Sequence, residues 1–488
     1  MGCAATIRKT KLALVIPNLR WGFEGPASCL WHFFPYNMCL LAAMVEAICD
    51  VDIIDAYGHD MTDEQLAAAL TASAPTVVGI TVSMDQCAPS GHHAAALAKS
   101  TLPHAIVVMG GVYPTMNARA VVEDTNVDFA VVGEGEYVFR ALLEHLRGEG
   151  PLPEKGICYR RDGALVDTGR ADFIEDLDGL PLPAYHLVDI GKYMNSASRK
   201  SVDAPPAYPY ARILTSRGCP QDCVFCQVRS ISGRKYRPRS AENVLDEIAW
   251  LKDTYGVRCL YFDDDNLYTD RKRARAIFQG MVDRGLVMPW VSISTAVFRL
   301  DESLVDLMRV SGCRYIDIAI ESGSDRVLKE IIRKPIDYGH AKAMVARARQ
   351  QGIYVAANFI VGFPTETWDE ILQTIRFAEE LDADYVKIFV AIPLRHTRLW
   401  ELCERENAFK QCFSESGVKW NTGQIETKDF SSADLTILRA YEWDRINFAD
   451  PAKRERTAQV MGVTQDELLS IRRDTLRAAL DVIRNSPA

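Results

Sequence analysis

Short, continuously apolar runs recur along this chain, each followed by a stretch of helical periodicity, and this alternation decides the class of fold. In the first third the runs are Leu12-Ala-Leu-Val-Ile16, Val51-Asp-Ile-Ile-Asp55, Val77-Val-Gly-Ile-Thr81, Ala105-Ile-Val-Val-Met109 and Phe129-Ala-Val-Val132. Runs rich in β-branched residues, without polar alternation, are strands covered on both faces, and the helical patterns between them are the crossovers of a parallel sheet. The prediction is a doubly wound, Rossmann-like α/β domain over 10–150, with its ligand outside the carboxyl ends of the strands at the switch point. After a Pro-rich connector, Glu175-Asp-Leu-Asp-Gly-Leu-Pro-Leu-Pro-Ala-Tyr185, and a polar linker at 195–209, a second series begins. Its strands fall at 212–216, 259–262, 290–294, 315–320, 355–361 and 385–390, and an amphipathic helix at 240–255 opens on a serine cap. Six such units over 209–400 predict a partial (β/α)6 barrel, open on one side, with its chemistry at the strand carboxyl ends. Helices at 434–447 and 465–485 predict a helical C-terminal cap over 401–488, with Tyr441, Trp443 and Phe448 as a core patch. Residues 151–208 are then the connector.

At 488 residues the chain exceeds one ordinary core. Its net charge of -9 argues against a general nucleic-acid binder. No run of about twenty apolar residues predicts a transmembrane helix. The opening Met1-Gly-Cys-Ala-Ala-Thr6 resembles an acylation signal only superficially, lacks a basic neighbour, and reads as a frayed terminus. Thirteen cysteines without a signal peptide predict a reducing cytoplasm. Of these, Cys3, Cys29, Cys39, Cys49, Cys87, Cys158, Cys259, Cys313, Cys403 and Cys412 have scattered spacings and read as buried thiols.

The other three stand together in Arg217-Gly-Cys-Pro-Gln-Asp-Cys-Val-Phe-Cys226, directly after a strand. CxxxCxxC on one tight loop can hold three corners of a cubane iron–sulfur cluster and leave the fourth iron open. A structural zinc site wants four ligands in paired spacing, and a disulfide wants an oxidising compartment. Gly218 and Pro220 shape the turn, and Phe225 lies beside the last thiol. Other strand ends are polar too: Asp263-Asp-Asp-Asn266, Glu321-Ser-Gly-Ser324 and Asn358-Phe-Ile-Val-Gly-Phe-Pro-Thr-Glu366. Taken singly, each reads equally well as a solvated turn or a helix cap. In the first domain Gly110-Gly111 and Gly133-Glu-Gly-Glu136 follow strands, where glycine lets backbone approach a ligand closely. A plain strand-to-helix turn explains them equally. GxGxxG is absent from the first turn, which argues against a nicotinamide cofactor.

The cysteine loop and its strand-end companions resemble the radical S-adenosylmethionine enzymes, and more narrowly their cobalamin-binding class, over residues 10–400. That resemblance implies a 4Fe-4S cluster on Cys219, Cys223 and Cys226, with S-adenosyl-L-methionine chelating the open iron. It implies the methionyl amino group at Asp263 and Asp264, the methionyl or ribose portion at Glu321 and Ser322, and adenine beside Gly362 and Pro364. For cobalamin it implies Gly79, Thr81 and Ser83, then Gly110 and Gly111, then Gly133, Glu134 and Gly135, with the nucleotide tail at the switch point. Corrinoid proteins that ligate cobalt with histidine carry D-x-H-x-x-G, and the nearest stretch here, Asp55-Ala-Tyr-Gly-His59, has the wrong spacing. His59, His92 and His93 are therefore read as surface or helix-start residues, with no protein histidine beneath cobalt. The 17–34 loop holds Trp21, Trp31, His32 and Phe33, which face the corrin or substrate, or simply pack, on equal terms.

The sixth strand departs from the family pattern of Pro-Gly-Thr-Pro and ends Ile392-Pro-Leu-Arg-His-Thr-Arg-Leu-Trp400. Arg395, His396 and Arg398 predict an anionic small-molecule substrate, such as a phosphonate, phosphate ester or carboxylate. Ion pairs with neighbouring acids are the competing reading. The basic stretch 229–239 reads as a solvated loop rather than an anion site. The implied activity is that of a cobalamin-dependent radical methyltransferase. It would methylate an unactivated carbon or phosphorus through a 5′-deoxyadenosyl radical and methylcobalamin. A flavodoxin or ferredoxin is the expected electron donor, and neither nucleic acid nor membrane is an expected partner. Two other readings stay open: the same cofactors ending in oxidative ring closure or ring contraction, and a non-catalytic corrinoid or cluster sensor.

Overall fold

The computed structural model describes residues 10–22, 34–195, 201–411, 413–414 and 421–484. Cys3, Cys29, Cys412, Trp31, His32, Phe33, Asn485 and the opening Met1-Gly-Cys segment lie outside the described residues. The chain divides into two compact units, Met1–Tyr193 and Met194–Ala488.

In the first unit β1 (Thr10–Ile16), β2 (Cys49–Asp55), β3 (Val77–Thr81), β4 (Ile106–Gly110) and β5 (Phe129–Val131) are parallel, and β6 (Ile157–Arg161) and β7 (Ala164–Asp167) add an antiparallel hairpin. The order is β2-β1-β3-β4-β5-β6-β7, so the winding reverses between β1 and β3. Alternate residues of each strand enter different layers, as the pleat requires. Leu12, Leu14 and Ile16 pack with Met38, Ala42, Val45, Phe139 and Leu142, whereas Ala13 and Val15 pack with Leu66, Leu70, Ala94 and Ala98. Each fully buried Leu, Val or Phe contributes about 1.5–3 kcal/mol, so two dry layers explain why these strands carry no polar face. The β6–β7 hairpin lies in what the sequence suggests is connector: β7 is half exposed and its residues give little apolar signal.

In the second unit β8 (Tyr210–Ile213) leads to a short antiparallel pair, β9 (Ser216–Arg217) with β10 (Arg237–Pro238). β11 (Cys259–Phe262), β12 (Trp290–Thr295), β13 (Cys313–Glu321), β14 (Tyr354–Val361) and β15 (Tyr385–Val390) then build a parallel sheet of order β15-β14-β13-β12-β11-β8. Each strand pairs with its predecessor, and among the described residues no ladder joins β8 to β15, so the barrel stays open. Ser240 caps the helix Ala241–Tyr255 by accepting from the Asn243 N–H, and Gly256 ends it in the left-handed region.

The β15 edge of the sheet is managed by side chains. Along β15 runs the helix Ser432–Phe448, whose Asn447 accepts from the Val386 N–H at 2.7 Å and donates to the Val386 carbonyl at 2.8 Å, while Arg439 donates to the Ile388 carbonyl at 3.0 Å. These contacts occupy backbone groups that a free edge would leave open. Lys387 on β15 also reaches Asp203, upstream of β8, at 3.3 Å and Asp317 on β13 at 2.5 Å. Two expectations need correction. Tyr441 is 61% exposed and leaves the aromatic patch to Trp443 and Phe448. The basic stretch is solvated only in part: Arg229, Arg234 and Lys235 are exposed. Arg237 and Arg239 are buried, and Arg239 is tied to Glu247, Asn243 and the Leu214 carbonyl.

Candidate active site

Cys219, Cys223 and Cys226 lie on the loop between β9 and the one-turn helix Val228–Ile231, at the carboxyl end of the first barrel strand. Gly218 turns that loop at φ 83, and a Cβ there would stand 2.3 Å from the Lys235 carbonyl oxygen, so only glycine fits. All three cysteines are free and half-buried, whereas Cys39, Cys49, Cys87, Cys158, Cys259, Cys313 and Cys403 are buried. Burial pushes the Cys223 thiol up to about 12, with Lys334 working in the opposite direction, and burial pushes Cys226 up to about 11. Such thiols stay protonated until a metal displaces the proton, as a coordinating metal does outright. Among the described residues no three His, Cys, Asp or Glu side chains converge on one point as a single zinc ion needs. A cubane asks for something else: each iron takes its own thiolate. Three half-buried thiols on one glycine-shaped loop fit that demand.

The acidic turn after β11 braces this loop. Asp264 is buried and accepts from the Thr215 hydroxyl at 2.7 Å, from the Thr215 N–H at 3.3 Å and from the Ser216 hydroxyl. Asp265 accepts from the Gly218 N–H at 3.1 Å, and burial pushes its carboxyl up to about 6. Asn266 donates to the Cys219 sulfur at 3.8 Å. Asp263 is clasped by Arg212, which also lies 4.7 Å over the Tyr261 ring. The member of the acidic run bonded to the cysteine loop itself is Asp265, beside the Asp263 and Asp264 that the resemblance singles out.

At the end of β13, Glu321 stands at φ 74 beside Lys334, 2.7 Å away; both are buried, and Lys334 also donates to the Ala319 carbonyl at 2.8 Å. The next residue, Ser322, is fully buried, bonded to the Thr374 hydroxyl at 2.9 Å and to the Ser324 N–H at 3.1 Å. Its hydroxyl therefore holds the turn. After β14, Gly362 takes φ 90 and, with Phe363, donates its N–H to buried Glu366 at 2.6 and 3.0 Å; Pro364 is buried beside them.

The turn after β15 is stitched to the cysteine loop. Leu399 donates to the Val224 carbonyl at 2.9 Å, Gln227 to the Arg395 carbonyl at 3.0 Å and Ser230 to the His396 carbonyl at 3.0 Å. Arg398 is bound to Asp222, which Arg229 also contacts at 3.0 Å, so the competing ion-pair reading describes this residue. Arg395 and His396 are exposed, and the Arg395 guanidinium lies 4.9 Å over the Trp400 ring.

In the first unit the predicted cofactor residues gather at the carboxyl ends of β3, β4 and β5. Gly79 lies inside β3, where a Cβ would press on Leu14 at 2.9 Å, so it serves packing within the sheet. Thr81 ends β3, and Ser83 follows, its hydroxyl 3.7 Å from the Cys87 sulfur. Gly110 ends β4, and Gly111 takes φ 109 with a would-be Cβ 2.5 Å from the Val82 carbonyl oxygen. Gly133 donates its N–H to the Thr115 hydroxyl at 3.0 Å, Glu134 accepts from the Ile174 N–H at 2.7 Å, and Gly135 opens the helix Gly135–Leu146. His59 is exposed, whereas His92 and His93 lie half-buried within the helix Ala88–Thr101, paired with Asp124 at 2.7 Å and Asp63 at 2.9 Å. Trp21 packs on His93 at 5.0 Å and on the core.

The radical SAM superfamily profile matches residues 213–378, and the B12 binding domain profile matches residues 32–143. An uncharacterised methyltransferase of Pyrococcus horikoshii is 32% identical over 375 residues, covering 76% of this chain and 79% of its own length. The cytidylyl-2-hydroxyethylphosphonate methyltransferase of Streptomyces wedmorensis is 31% identical over 459 residues, covering 83% of this chain and 84% of its own. In fold, the chain is similar to the radical S-adenosylmethionine methyltransferase TsrM from Kitasatospora setae, solved with cobalamin and a 4Fe-4S cluster. That match has a TM-score of 0.70 at 16% identity and covers 98% of this chain and 100% of the other. Among the described residues no helix is long and apolar enough to cross a membrane.

Proposed function

The chain belongs to the cobalamin-binding radical S-adenosylmethionine enzymes, and on that premise we propose that it methylates an unactivated carbon or phosphorus of a small anionic metabolite. The observation carrying this reading is the three-cysteine loop at the first strand end of the barrel, in a chain that aligns with a phosphonate methyltransferase over 84% of that relative's length. When bound, the cluster, S-adenosyl-L-methionine and cobalamin supply reductive formation of a 5′-deoxyadenosyl radical and delivery of a methyl group.

The chain's own residues bind, orient and shelter. Cys219, Cys223 and Cys226 are the cluster ligands. Asp264 and Asp265 fix the loop through Thr215, Ser216 and Gly218, and the 394–399 turn clamps its far side. Glu321 and the acidic turn at Asp263 face the methionyl end of S-adenosyl-L-methionine. Ser322 acts by shaping the turn, and Glu366 orients the Gly362-Phe363 peptide beside adenine, with Pro364. The β3, β4 and β5 ends, with Thr81, Ser83, Gly110, Gly111, Gly133, Glu134 and Gly135, receive cobalamin. Gly79 supports them from within the sheet. Arg395 and His396 meet the substrate anion, a role supported by their exposure and by the phosphonate in the relative's name. A flavodoxin or ferredoxin of the cytoplasm delivers the electrons.

Anaerobic turnover with a methyl-labelled donor tests the reaction. Methylation consumes two donors, so S-adenosylhomocysteine and 5′-deoxyadenosine form together and label enters the product. 5′-Deoxyadenosine alone would refute methyl transfer. Arg395→Gln is expected to raise KM for the anionic substrate at least about tenfold, the loss of a charge-assisted contact; unchanged affinity removes the anionic assignment.

A further inference from the structure

We propose that Lys334, held against Glu321 beneath the cysteine loop, is the residue that sets the reduction potential of the cluster. The inference rests on reading Cys219, Cys223 and Cys226 as cluster ligands. Its geometry is local and specific. The segment before Lys334 is bonded to the loop between its second and third cysteines, where the Val224 N–H reaches the Ile332 carbonyl at 3.2 Å. Arg333 then adopts the left-handed region at φ 66, which turns the chain inward. Lys334 is left 8% exposed, with its ammonium 2.7 Å from Glu321 and 2.8 Å from the Ala319 carbonyl. Cys223 and Cys226 both lie within electrostatic reach of this ammonium.

A lysine is rarely buried unless paired, and Glu321 supplies the pairing. The pair is not neutral in effect at Cys223, where the Lys334 ammonium acts more strongly than the Glu321 carboxylate. Reducing the cluster adds one negative charge at the loop. A fixed cation there favours the reduced form and a fixed anion disfavours it; cluster potentials follow net charge and hydrogen bonding around the sulfurs. Lys334 therefore makes the first electron easier to accept, and Glu321 limits the gain.

The opposite signs supply the test. Lys334→Met, Lys334→Arg, Glu321→Gln and the Glu321→Gln/Lys334→Met double variant are reconstituted anaerobically. Iron and sulfide content is measured, and each is titrated for its midpoint by paramagnetic resonance without S-adenosyl-L-methionine. Lys334→Met is expected to lower the one-electron reduction constant about tenfold, a shift of 59 mV. Lys334→Arg should hold the wild-type value, Glu321→Gln should move the midpoint upward, and the double variant should return toward wild type. An intact cluster whose midpoint is unmoved, or moves in one direction in both single variants, overturns the assignment of Lys334 while leaving the cluster reading intact. Wild-type protein that takes up no cluster overturns both. If Lys334→Met does not hold a cluster, the sign of Glu321→Gln decides: upward supports the proposal, unmoved or downward refutes it.

Discussion

Replacing Glu366 with glutamine removes a carboxyl that the fold has taken wholly out of water. Glu366 has no exposed surface, and one oxygen accepts both the Gly362 and the Phe363 N–H while the other, Oε1, is buried without a partner. Burial pushes its carboxyl up to about 8, and the two N–H groups offset only part of that. The folded chain therefore holds a proton there that the unfolded chain gives up near the ordinary value of 4.5. Below that value both states are protonated and the contribution to stability is complete. As pH rises the unfolded state alone is ionised, and stability falls by at most about 1.4 kcal/mol per pH unit until the folded group also ionises. Between 4.5 and about 8 the loss amounts to about 5 kcal/mol as an upper bound. Glutamine keeps an acceptor for the two N–H groups and cannot titrate. Urea unfolding of wild type and Glu366→Gln is compared from pH 5 to pH 9, with the fluorescence of Trp290, stacked on Phe278 at 4.8 Å, as a probe. Other titrating groups cancel in the difference. The variant should gain on wild type steadily up to about pH 8 and then level off. A difference that is flat across pH, or that favours wild type increasingly at high pH, would refute the reasoning.

Lys387→Met leaves buried Asp317 without its partner and frees Asp203 from β15, so unfolding free energy should drop by about 3–5 kcal/mol, as for other broken buried pairs. Hydrogen exchange should show 201–209 opening first. Asn447→Ala strips the β15 edge of the clip on Val386, at a cost of about 2–4 kcal/mol in denaturant unfolding. Gly111→Ala forces a Cβ toward the Val82 carbonyl at a φ few side chains adopt, costing about 1–3 kcal/mol. It should also weaken cobalamin uptake measured by equilibrium dialysis.

The strands of both sheets were legible because their signal is local: Leu12 to Ile16 is apolar at every position since both sheet faces are covered. The β6–β7 hairpin was not, because β6 buries only the short run Ile157, Cys158 and Tyr159 and the edge strand β7 is half-exposed and gives little apolar signal. At the site, the cysteine spacing is readable since all three thiols sit on one loop. The partners that fix the loop come from afar: Asp265 lies 47 residues from Gly218, and Arg398 lies 176 from Asp222. Sequence offers Arg398 as a free cation, and only folding reveals the carboxylate opposite it. The same holds for Glu321 and Lys334, ordinary charges until the turn at Arg333 brings them together.

The claim on which the account turns is a cubane held by three cysteines with one iron free for S-adenosyl-L-methionine. Mössbauer spectroscopy of anaerobically reconstituted protein, enriched in iron-57, addresses it directly. The account predicts a 4Fe-4S spectrum in which a single iron site changes when S-adenosyl-L-methionine is added, and which disappears when Cys219, Cys223 and Cys226 are replaced by alanine. A cluster indifferent to S-adenosyl-L-methionine, or one that survives the triple replacement, would contradict it.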